Sequence, residues 1–310
     1  MSFALIIIAG IAFRLLKVGG LSSVDVRNVI NVLVLNVFLP ALSIKIFYGS
    51  VVDVETILVP LTAVAVSGAA LATAFLAYWA LGKAFGRVLH LNQSQKGALI
   101  IGAAFGNTTY LGLPVIVEVF GQKAAKYVLY YDLMAATPLI WIVGVQIANL
   151  YGGKKGISLN ESAKTLLSLP PIWGIVIGMA LQFFHVPLPA FVLKAIQLLG
   201  DLVVPLMIFS IGLALRVPRV GHAYVAVPAV VVKLLLCPLA AFFCAKWMGI
   251  GGVALGSCVI EGATPTMVLS LLIAARFNLD VPLSAFLILV TTALSFFTLP
   301  AAIYLAGRFA

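Results

Sequence analysis

Two apolar segments of the chain, residues 97–114 and 252–266, carry polar side chains at their centres, where a membrane helix would ordinarily be apolar. These side chains are the amide of Asn107, the hydroxyls of Thr108, Thr109 and Thr264, and the carboxylate of Glu261. Amide, hydroxyl and carboxylate groups at this depth can bind an anion, a proton or a small cation. Because an ionisable residue inside a membrane span is by default functional, these two segments hold the candidate binding chemistry.

Glycine and proline accompany the polar residues in both segments. Pro114 and Pro265 each lack a backbone N–H and interrupt the helical hydrogen-bond ladder. Irregular backbone inside a bilayer is tolerated only where it is buried in protein or lines a cavity. A pair of broken helices at corresponding positions of two halves indicates the binding site of a secondary transporter. The pattern therefore predicts a carrier, although an ordinary helix kink would explain either proline alone.

The predicted substrate site consists of the residues around the two breaks. Asn107 offers both a donor and an acceptor, and free N–H groups at the start of a half-helix favour an anion. The alternative is that Asn and Thr side chains only satisfy the broken backbone. The residues assigned to substrate binding here are Asn107, Thr108, Thr109, Pro114, Thr264 and Pro265.

Ion coupling is predicted for Glu261, Lys233, Asn107, Asp132 and Thr137. Oxygen ligands from Glu261, Asn107 and Thr108 would suit Na⁺, whereas Glu261 alone would suit a proton or an ion pair with Lys233. Lys233 lies too deep in its span to reach water easily, and would replace a coupling cation, pair with Glu261 or attract a substrate carboxylate. Asp132 opens its predicted span, so it is also expected within reach of interfacial water.

Two further polar residues, Asn36 and Asp201, occupy related positions in the two halves of the chain. Each precedes a proline, Pro40 or Pro205, inside an apolar segment. Either they line the substrate cavity or they form hydrogen bonds at the kinks, and the sequence favours neither alternative.

The composition restricts the class of protein. Hydrophobic residues make up 63% of the 310 residues and charged residues 9%, with a mean hydropathy of +1.20, whereas soluble domains are about a quarter charged. The chain is therefore an integral membrane protein in contact with the lipid bilayer. Its net charge of +10 reflects basic residues at cytoplasmic helix ends, with no nucleic-acid partner expected. Without a catalytic or metal motif, neither enzyme activity nor a cofactor is expected beyond Na⁺ or H⁺ as coupling ion.

Apolar runs predict ten membrane helices in a single domain over residues 1–310. The predicted spans are near 2–16, 27–49, 57–81, 96–120, 124–150, 166–184, 191–215, 222–247, 251–275 and 282–306. Residues 1–150 and 166–310 align weakly as two repeats. A repeat of five spans must have its second copy inverted, which suits alternating access. Most Lys and Arg residues fall in loops after odd-numbered spans, so both termini are predicted extracellular, in the cell membrane.

Five motifs in order resemble those of the auxin efflux carrier family. The motifs are residues 14–22, residues 34–42, the Gly-Asn-Thr-Thr-Tyr-Leu-Gly-Leu-Pro sequence at 106–114, the Ala-Thr-Pro-Thr sequence at 263–266, and residues 294–300. The resemblance covers essentially the whole chain. It implies a fold similar to sodium/bile-acid symporters and sodium/proton antiporters, in which broken spans 4 and 9 cross. Some of those symporters use a Glu at the position of Glu261 for Na⁺.

The resemblance also implies a division of labour within the membrane domain. Residues 2–49 and 166–215 would form a scaffold, through which a homodimer would assemble, and residues 57–150 and 222–306 would form a moving transport bundle. Family members export auxin or move malate-like and malonate-like anions. The prediction is a secondary transporter of small organic anions with an elevator mechanism. Alternatives are sodium- or proton-coupled transport of a bile-acid-like or neutral solute, a channel, or an intramembrane enzyme.

Overall fold

The described residues of the chain are almost entirely helical. The computed structural model describes residues 2–16, 20–48, 53–85, 91–153, 158–214 and 223–309. Within these ranges the only β-type pairing is an isolated bridge between Gly106 and Thr266. The all-α prediction is therefore confirmed.

Fourteen helical segments follow one another along the described residues. They are α1 (Ser2–Leu16), α2 (Ser23–Tyr48), α3 (Glu55–Phe85), α4 (Gln93–Ala104), α5 (Thr108–Phe120), α6 (Gln122–Gly152), α7 (Leu159–Leu167), α8 (Pro170–Phe183), α9 (Ala190–Asp201), α10 (Val203–Ala214), α11 (Tyr224–Trp247), α12 (Gly252–Ala263), α13 (Leu269–Arg276) and α14 (Val281–Phe309).

Six stretches within the described residues are long and apolar enough to cross a membrane. They are Ser23–Tyr48, Glu55–Lys83, Gln122–Gly152, Ala190–Leu213, Tyr224–Trp247 and Val281–Gly307. Shorter apolar helices cover Leu5–Leu16, Thr108–Phe120, Pro170–Phe183 and Gly252–Ala263. The chain is a multi-pass membrane protein, and the count of ten spans stays a prediction.

One helix differs from the predicted boundaries. The span expected at 166–184 begins at Pro170, and residues Leu159–Leu167 form the separate helix α7. A reciprocal cap starts α7, because the Ser158 amide donates to Glu161 at 3.0 Å and the Glu161 amide donates to Ser158 at 3.2 Å. Consecutive prolines at 170 and 171 then impose a new start, since proline suits the first turn of a helix.

Four helices widen into a π-helical segment two residues before a proline. The pairs are Val34–Phe38 with Pro40, Thr108–Gly112 with Pro114, Asp132–Ala136 with Pro138, and Val232–Leu236 with Pro238. Proline gives no N–H to the carbonyl four residues earlier and clashes with it, and that carbonyl lies within the π-helical segment in each case. Such segments are frequent at functional sites, and Asn36, Thr109, Asp132 and Lys233 lie on them.

The chain divides into two compact units. Unit 1 comprises Met1–Val52 and Thr165–Arg216, and unit 2 comprises Asp53–Lys164 and Val217–Ala310. Their assignment to a scaffold and a transport bundle stays a prediction.

Glycines allow the helices of unit 1 to approach closely. A Cβ on Gly174 of α8 would lie 2.6 Å from the Pro40 carbonyl oxygen of α2, and one on Gly178 would lie 2.9 Å from Cβ of Phe47. Small residues are the usual contact points between membrane helices, since packing replaces the hydrophobic effect there. The backbones of α2 and α8 therefore touch directly.

Unit 2 is built around α4, which is buried from Gly97 to Ala104. Its side chains, among them Leu99 and Ile101, pack with residues of α3, α6, α11, α13 and α14 in one hydrophobic cluster. A helix that is apolar on all sides belongs in the interior. The end of α4 is thus fixed by packing on every side.

An ion-pair cluster joins the starts of α3 and α6 in unit 2. Lys126 Nζ lies 2.9 Å from Asp53 Oδ2 and 3.6 Å from Glu55 Oε2, and the Tyr127 hydroxyl donates to Glu55 at 2.6 Å. Burial raises the pKa of Asp53, but hydrogen bonds from Lys126 and Thr56 outweigh it and hold the pKa below its ordinary value of 3.8.

The direct backbone contact at Gly174 predicts that Gly174→Ala destabilises the protein. The added methyl group meets a carbonyl oxygen that cannot rotate away, and overpacking of this kind costs about 1–3 kcal/mol. Gly68→Ala in α3 is the matched control, because a Cβ there meets nothing within 4 Å. Thermal unfolding in detergent should show a lower Tm for Gly174→Ala only; equal Tm values for both variants would contradict the packing.

The lowered pKa of Asp53 predicts a pH-dependent contribution to stability. Because the folded pKa lies below 3.8, the ion pair stabilises fully above pH 3.8 and is lost as pH falls through the folded value. Asp53→Asn should therefore lower Tm near neutral pH, and its difference from the wild type should shrink in acid well below pH 3.8. A difference that stays constant across this range would show that the carboxylate charge is not the cause.

Candidate functional site

The breaks after α4 and α12 pair with each other through the backbone. The backbone N–H of Asn107 donates to the carbonyl of Pro265 at 2.7 Å, and the backbone N–H of Met267 donates to the carbonyl of Phe105 at 2.9 Å. We call residues 105–107 and 264–267 the crossover. Backbone groups freed by one break are thus satisfied by the other.

Local sequence explains why the backbone leaves the helix here. Proline disfavours the helical conformation of the residue before it, and Thr264 before Pro265 is extended, with φ −61° and ψ 145°. Phe105 is extended as well, with φ −105° and ψ 122°. Threonine hydroxyls then cap freed carbonyls, Thr264 donating to Glu261 at 2.6 Å and Thr266 donating to Gly102 at 2.8 Å.

Helix ends that carry opposite partial charges meet at the crossover. Helices α4 and α12 end there, whereas α5 and α13 begin beyond it. The C-terminal end of a helix carries partial negative charge and the N-terminal end partial positive charge. The crossover therefore offers favourable positions to both a cation and an anion.

Glu261 presents a buried carboxyl group without a hydrogen-bond partner. The residue is 1% exposed, and neither Oε1 nor Oε2 has a partner in the structure. The group lies against α5, where a Cβ on Gly112 would come within 2.5 Å of one oxygen and 2.6 Å of the other. An isolated buried carboxylate is costly and is neutralised or paired. Glu261 is thus the group that a proton or a small cation would satisfy.

Asp132 is a second buried carboxylate, and unlike Glu261 it has hydrogen-bond partners. It is 2% exposed and accepts hydrogen bonds from the hydroxyl of Thr109 and, at 2.7 Å, from that of Thr137. The expectation that Asp132 reaches interfacial water is wrong, because the residue lies within α6, well after that helix begins at Gln122. Asp132 is the first residue of the π-helical segment Asp132–Ala136, and its side chain contacts Thr109 of α5.

Lys233 lies at the crossover itself. It is 2% exposed, and its ammonium group donates to the carbonyl of Gly262 at 2.9 Å. A Cβ on Gly106 would lie 3.1 Å from Nζ. The proposed ion pair with Glu261 is not formed, since the ion pairs among the described residues join Lys45 or Lys126 to other carboxylates.

The remaining predicted residues near the breaks are buried, and the structure brings them together in unit 2. Asn107 is 7% exposed and Thr108 1%, and the carbonyl of Asn107 accepts the amides of Leu111 and Gly112 at 3.1 and 3.3 Å. Pro114 follows the π-helical segment, and the Pro265 carbonyl belongs to the crossover. A Na⁺ site at Glu261, Asn107 and Thr108 stays a prediction; no metal-binding group of three His, Cys, Asp or Glu side chains occurs among the described residues.

Asn36 and Asp201 belong to unit 1 and already have partners there. The Asn36 side chain donates to the carbonyl of Val32 at 2.7 Å. Asp201 Oδ1 lies 2.8 Å from Lys45 Nζ, with both side chains partly exposed. Asn36 thus forms a hydrogen bond within its own helix, and Asp201 forms an ion pair between helices.

Four residues of the site did not emerge as binding candidates from the sequence. They are Gly106, which leaves room for the Thr264 hydroxyl and the Lys233 ammonium group, Gly112, which leaves room for the Glu261 carboxyl group, and the two threonines Thr266 and Thr291. The first three lie within the motifs noted above, so their positions carried a signal. Thr291 in α14 carried none, although its hydroxyl accepts the amide of Thr266 at 3.1 Å.

Comparisons with known proteins place the chain among transporters. A family model described as "Membrane transport protein" matches residues 2–303. An uncharacterized transporter of Methanocaldococcus jannaschii is 28% identical over 222 residues, which is 69% of either chain. One of Methanothermobacter thermautotrophicus is 25% identical over 287 residues, 92% of this chain and 91% of its own. An uncharacterized transporter of Escherichia coli is 24% identical over 265 residues, 83% and 81% of the two chains.

The Thr291 contact predicts that Thr291→Val weakens the crossover. Valine keeps the shape but leaves the buried Thr266 amide without its acceptor, a loss of about 1–3 kcal/mol. Thr292→Val is the matched control, since the Thr292 hydroxyl only donates to the carbonyl of Ile288 in its own helix. Hydrogen–deuterium exchange should increase around residues 264–267 in Thr291→Val alone. Unchanged exchange there would show that the contact is dispensable.

Proposed function

The chain belongs to the auxin efflux carrier-like membrane transport family, and we propose that it is a secondary transporter of small organic anions, with carboxylates as the substrate class. Its relatives carry the name of transporters without a substrate. The substrate class therefore rests on the chemistry of the crossover.

The observation that carries this proposal is the pairing of two helix breaks around buried charged residues. Asn107 and Pro265 join the breaks at 2.7 Å, with Lys233 and Glu261 buried beside them. Buried charge is expensive in a membrane and marks substrate or ion pathways. A structural kink alone would need neither the lysine nor the two carboxylates.

Asn107 is the residue we assign to the substrate carboxylate. Its side-chain amide lies at the start of α5, where the positive end of the helix dipole favours an anion. Thr108 and Thr109 extend the same start with hydroxyl groups, and Thr264 borders it on the other break. Glu261, Asp132 and Lys233 supply the charges through which transport would be coupled to Na⁺ or H⁺.

We also propose an elevator mechanism, in which unit 2 carries the bound substrate across the membrane. In support, every residue assigned to the crossover and to ion coupling lies within unit 2. Residues of one compact unit can move together without breaking their mutual contacts. Unit 1 would then be the scaffold and the surface for a homodimer. Residence in the cell membrane with both termini outside completes the proposal.

A second candidate is sodium- or proton-coupled transport of a neutral or bile-acid-like solute. It rests on the unpartnered carboxyl group of Glu261, because a coupling cation would satisfy that group even if the solute carried no negative charge. A cation site in the crossover is compatible with either class of solute. The two functions differ in whether an anion is bound.

The proposal predicts saturable currents when the reconstituted protein is exposed to carboxylates on a solid-supported membrane. Asn107→Ala should weaken the apparent affinity by about tenfold to a hundredfold, because it removes a hydrogen bond to a charged group. Asn160→Ala, at an exposed position of α7, should behave like the wild type.

The panel is measured in Na⁺ and in choline buffers, with the Tm of each variant as a folding control. Wild-type affinity in a folded Asn107→Ala variant would remove this residue from the site. Absence of any response to carboxylates, together with uptake of a neutral solute, would establish the second candidate.

A further inference from the structure

The short helix α7 has one apolar and one charged side. Ala163, Leu166 and Leu167 are three and four residues apart, so they share a side of the helix, and Glu161 and Lys164 share the opposite side. The helix has nine residues, whereas crossing a bilayer takes about twenty. A helix with an apolar side, a charged side and low overall hydrophobicity is typical of one that lies in the membrane surface.

The end of α7 is attached to the first turn of the apolar helix α8. Trp173 donates its indole N–H to the carbonyl of Leu167 at 2.7 Å. Both side chains are more than half exposed, Trp173 at 54% and Leu167 at 55%. Tryptophan is enriched where membrane meets water, because its ring is apolar and its N–H is polar. This contact indicates that the end of α7 lies at the membrane–water boundary.

The backbone between α7 and α8 does not continue as one helix. Leu169 precedes Pro170, which disfavours the helical conformation, and it is extended with φ −74° and ψ 117°. The Ser168 hydroxyl donates to the carbonyl of Thr165 at 2.7 Å, so a terminal carbonyl of α7 is satisfied without a further helical turn. Helix α7 is therefore free of the requirement to follow α8 through the bilayer.

The described part of the protein leaves the apolar side of α7 open. Ala163 and Leu167 are exposed and Leu166 is half-buried, and α7 is not closely packed against any other helix that the structure describes. Apolar surface gains free energy when it leaves water. Because α7 is followed within three residues by an apolar helix that belongs in the membrane, the bilayer is the apolar phase within its reach.

The charge around α7 indicates which lipids it meets. Residues 153–169 contain three lysines, Lys154, Lys155 and Lys164, against the single acidic residue Glu161. Basic residues next to a membrane helix are attracted to anionic headgroups. Lys164 is exposed on the charged side of α7, where a lipid phosphate can reach it.

We propose that α7 is an interfacial helix that binds anionic phospholipids. Its apolar side, which is formed by Ala163, Leu166 and Leu167, inserts between the headgroups, and Lys164 pairs with a lipid phosphate. The loop that contains α7 follows the fifth predicted span and is predicted to be cytoplasmic, so the partner is the cytoplasmic leaflet. This inference is independent of the transported solute.

The first test measures the depth of α7 in full-length protein reconstituted in equal parts of phosphatidylcholine and phosphatidylglycerol. A nitroxide label is attached to Leu167→Cys on the apolar side or, as the matched control, to Asn160→Cys, which is exposed near the helix start. Both are made in a Cys244→Ala background, because Cys237 and Cys258 are buried. Power-saturation EPR with oxygen and a water-soluble nickel chelate reports the depth of each label, and Tm reports folding.

We expect the label at position 167 to lie about 5–10 Å below the headgroup surface, with high access to oxygen, and the label at position 160 to lie in water. Equal access of both labels to the nickel chelate would overturn the proposal. Low access of the label at position 167 to both reagents would overturn it as well, since protein, such as a second copy of the chain, would then cover the apolar side.

The second test addresses lipid charge by hydrogen–deuterium exchange and needs no cysteine variant. Adding phosphatidylglycerol to phosphatidylcholine nanodiscs should slow exchange of residues 159–167 in the wild type. Lys164→Glu should remove at least about fivefold of this slowing, the factor that one basic residue near an anionic surface contributes. Lys123→Glu makes the same charge change at an exposed position of another loop and should leave α7 unaffected.

Two results of the exchange experiment would contradict a specific anionic-lipid surface. One is wild-type exchange in α7 that is the same in both lipid compositions. The other is equal loss of the slowing in Lys164→Glu and Lys123→Glu, which would attribute the effect to the net charge of the protein.

Discussion

The whole architecture of unit 2 depends on the need to satisfy backbone groups away from water. In a bilayer interior no solvent replaces a lost helical hydrogen bond, and each unpaired group costs several kcal/mol. The structure meets this constraint by letting two broken helices complete each other, through Asn107 to Pro265 and Met267 to Phe105. Threonines 264, 266 and 291 satisfy the neighbouring groups. Polar side chains are tolerated in the interior of unit 2 because the backbone groups around them are hydrogen-bonded.

Two of the buried charged residues lie on π-helical segments that occur next to a proline. Lys233 and Asp132 lie on π-helical segments that end two residues before a proline, and Thr109 lies on a third. A wider turn changes the direction of the side chains on it relative to a regular helix. The same sequence feature that prevents regular hydrogen bonding thus also directs polar groups into the interior.

The sequence predicted the all-α membrane class and both helix breaks, because hydropathy and proline act locally. The contacts within the site were beyond its reach. Thr291 bonds to an amide 25 positions away, and no local pattern records such a partner. Asp132 was expected near water because hydropathy does not show which neighbouring helix a side chain faces, and its partner Thr109 is 23 positions away. Helix α7 was missed because its nine residues are too polar to read as a span and lie between predicted ones.

The crossover joins parts of the chain that are made at very different times. Thr266 and its acceptor Gly102 are 164 positions apart, and at about 5–20 residues per second synthesis of that interval takes on the order of ten seconds or more. The first broken helix must therefore enter the membrane before its partner exists. During this interval its freed backbone groups need water, lipid headgroups or an insertion factor. The pairing that forms the site in the mature protein thus leaves backbone groups unpaired while the rest of the chain is synthesised.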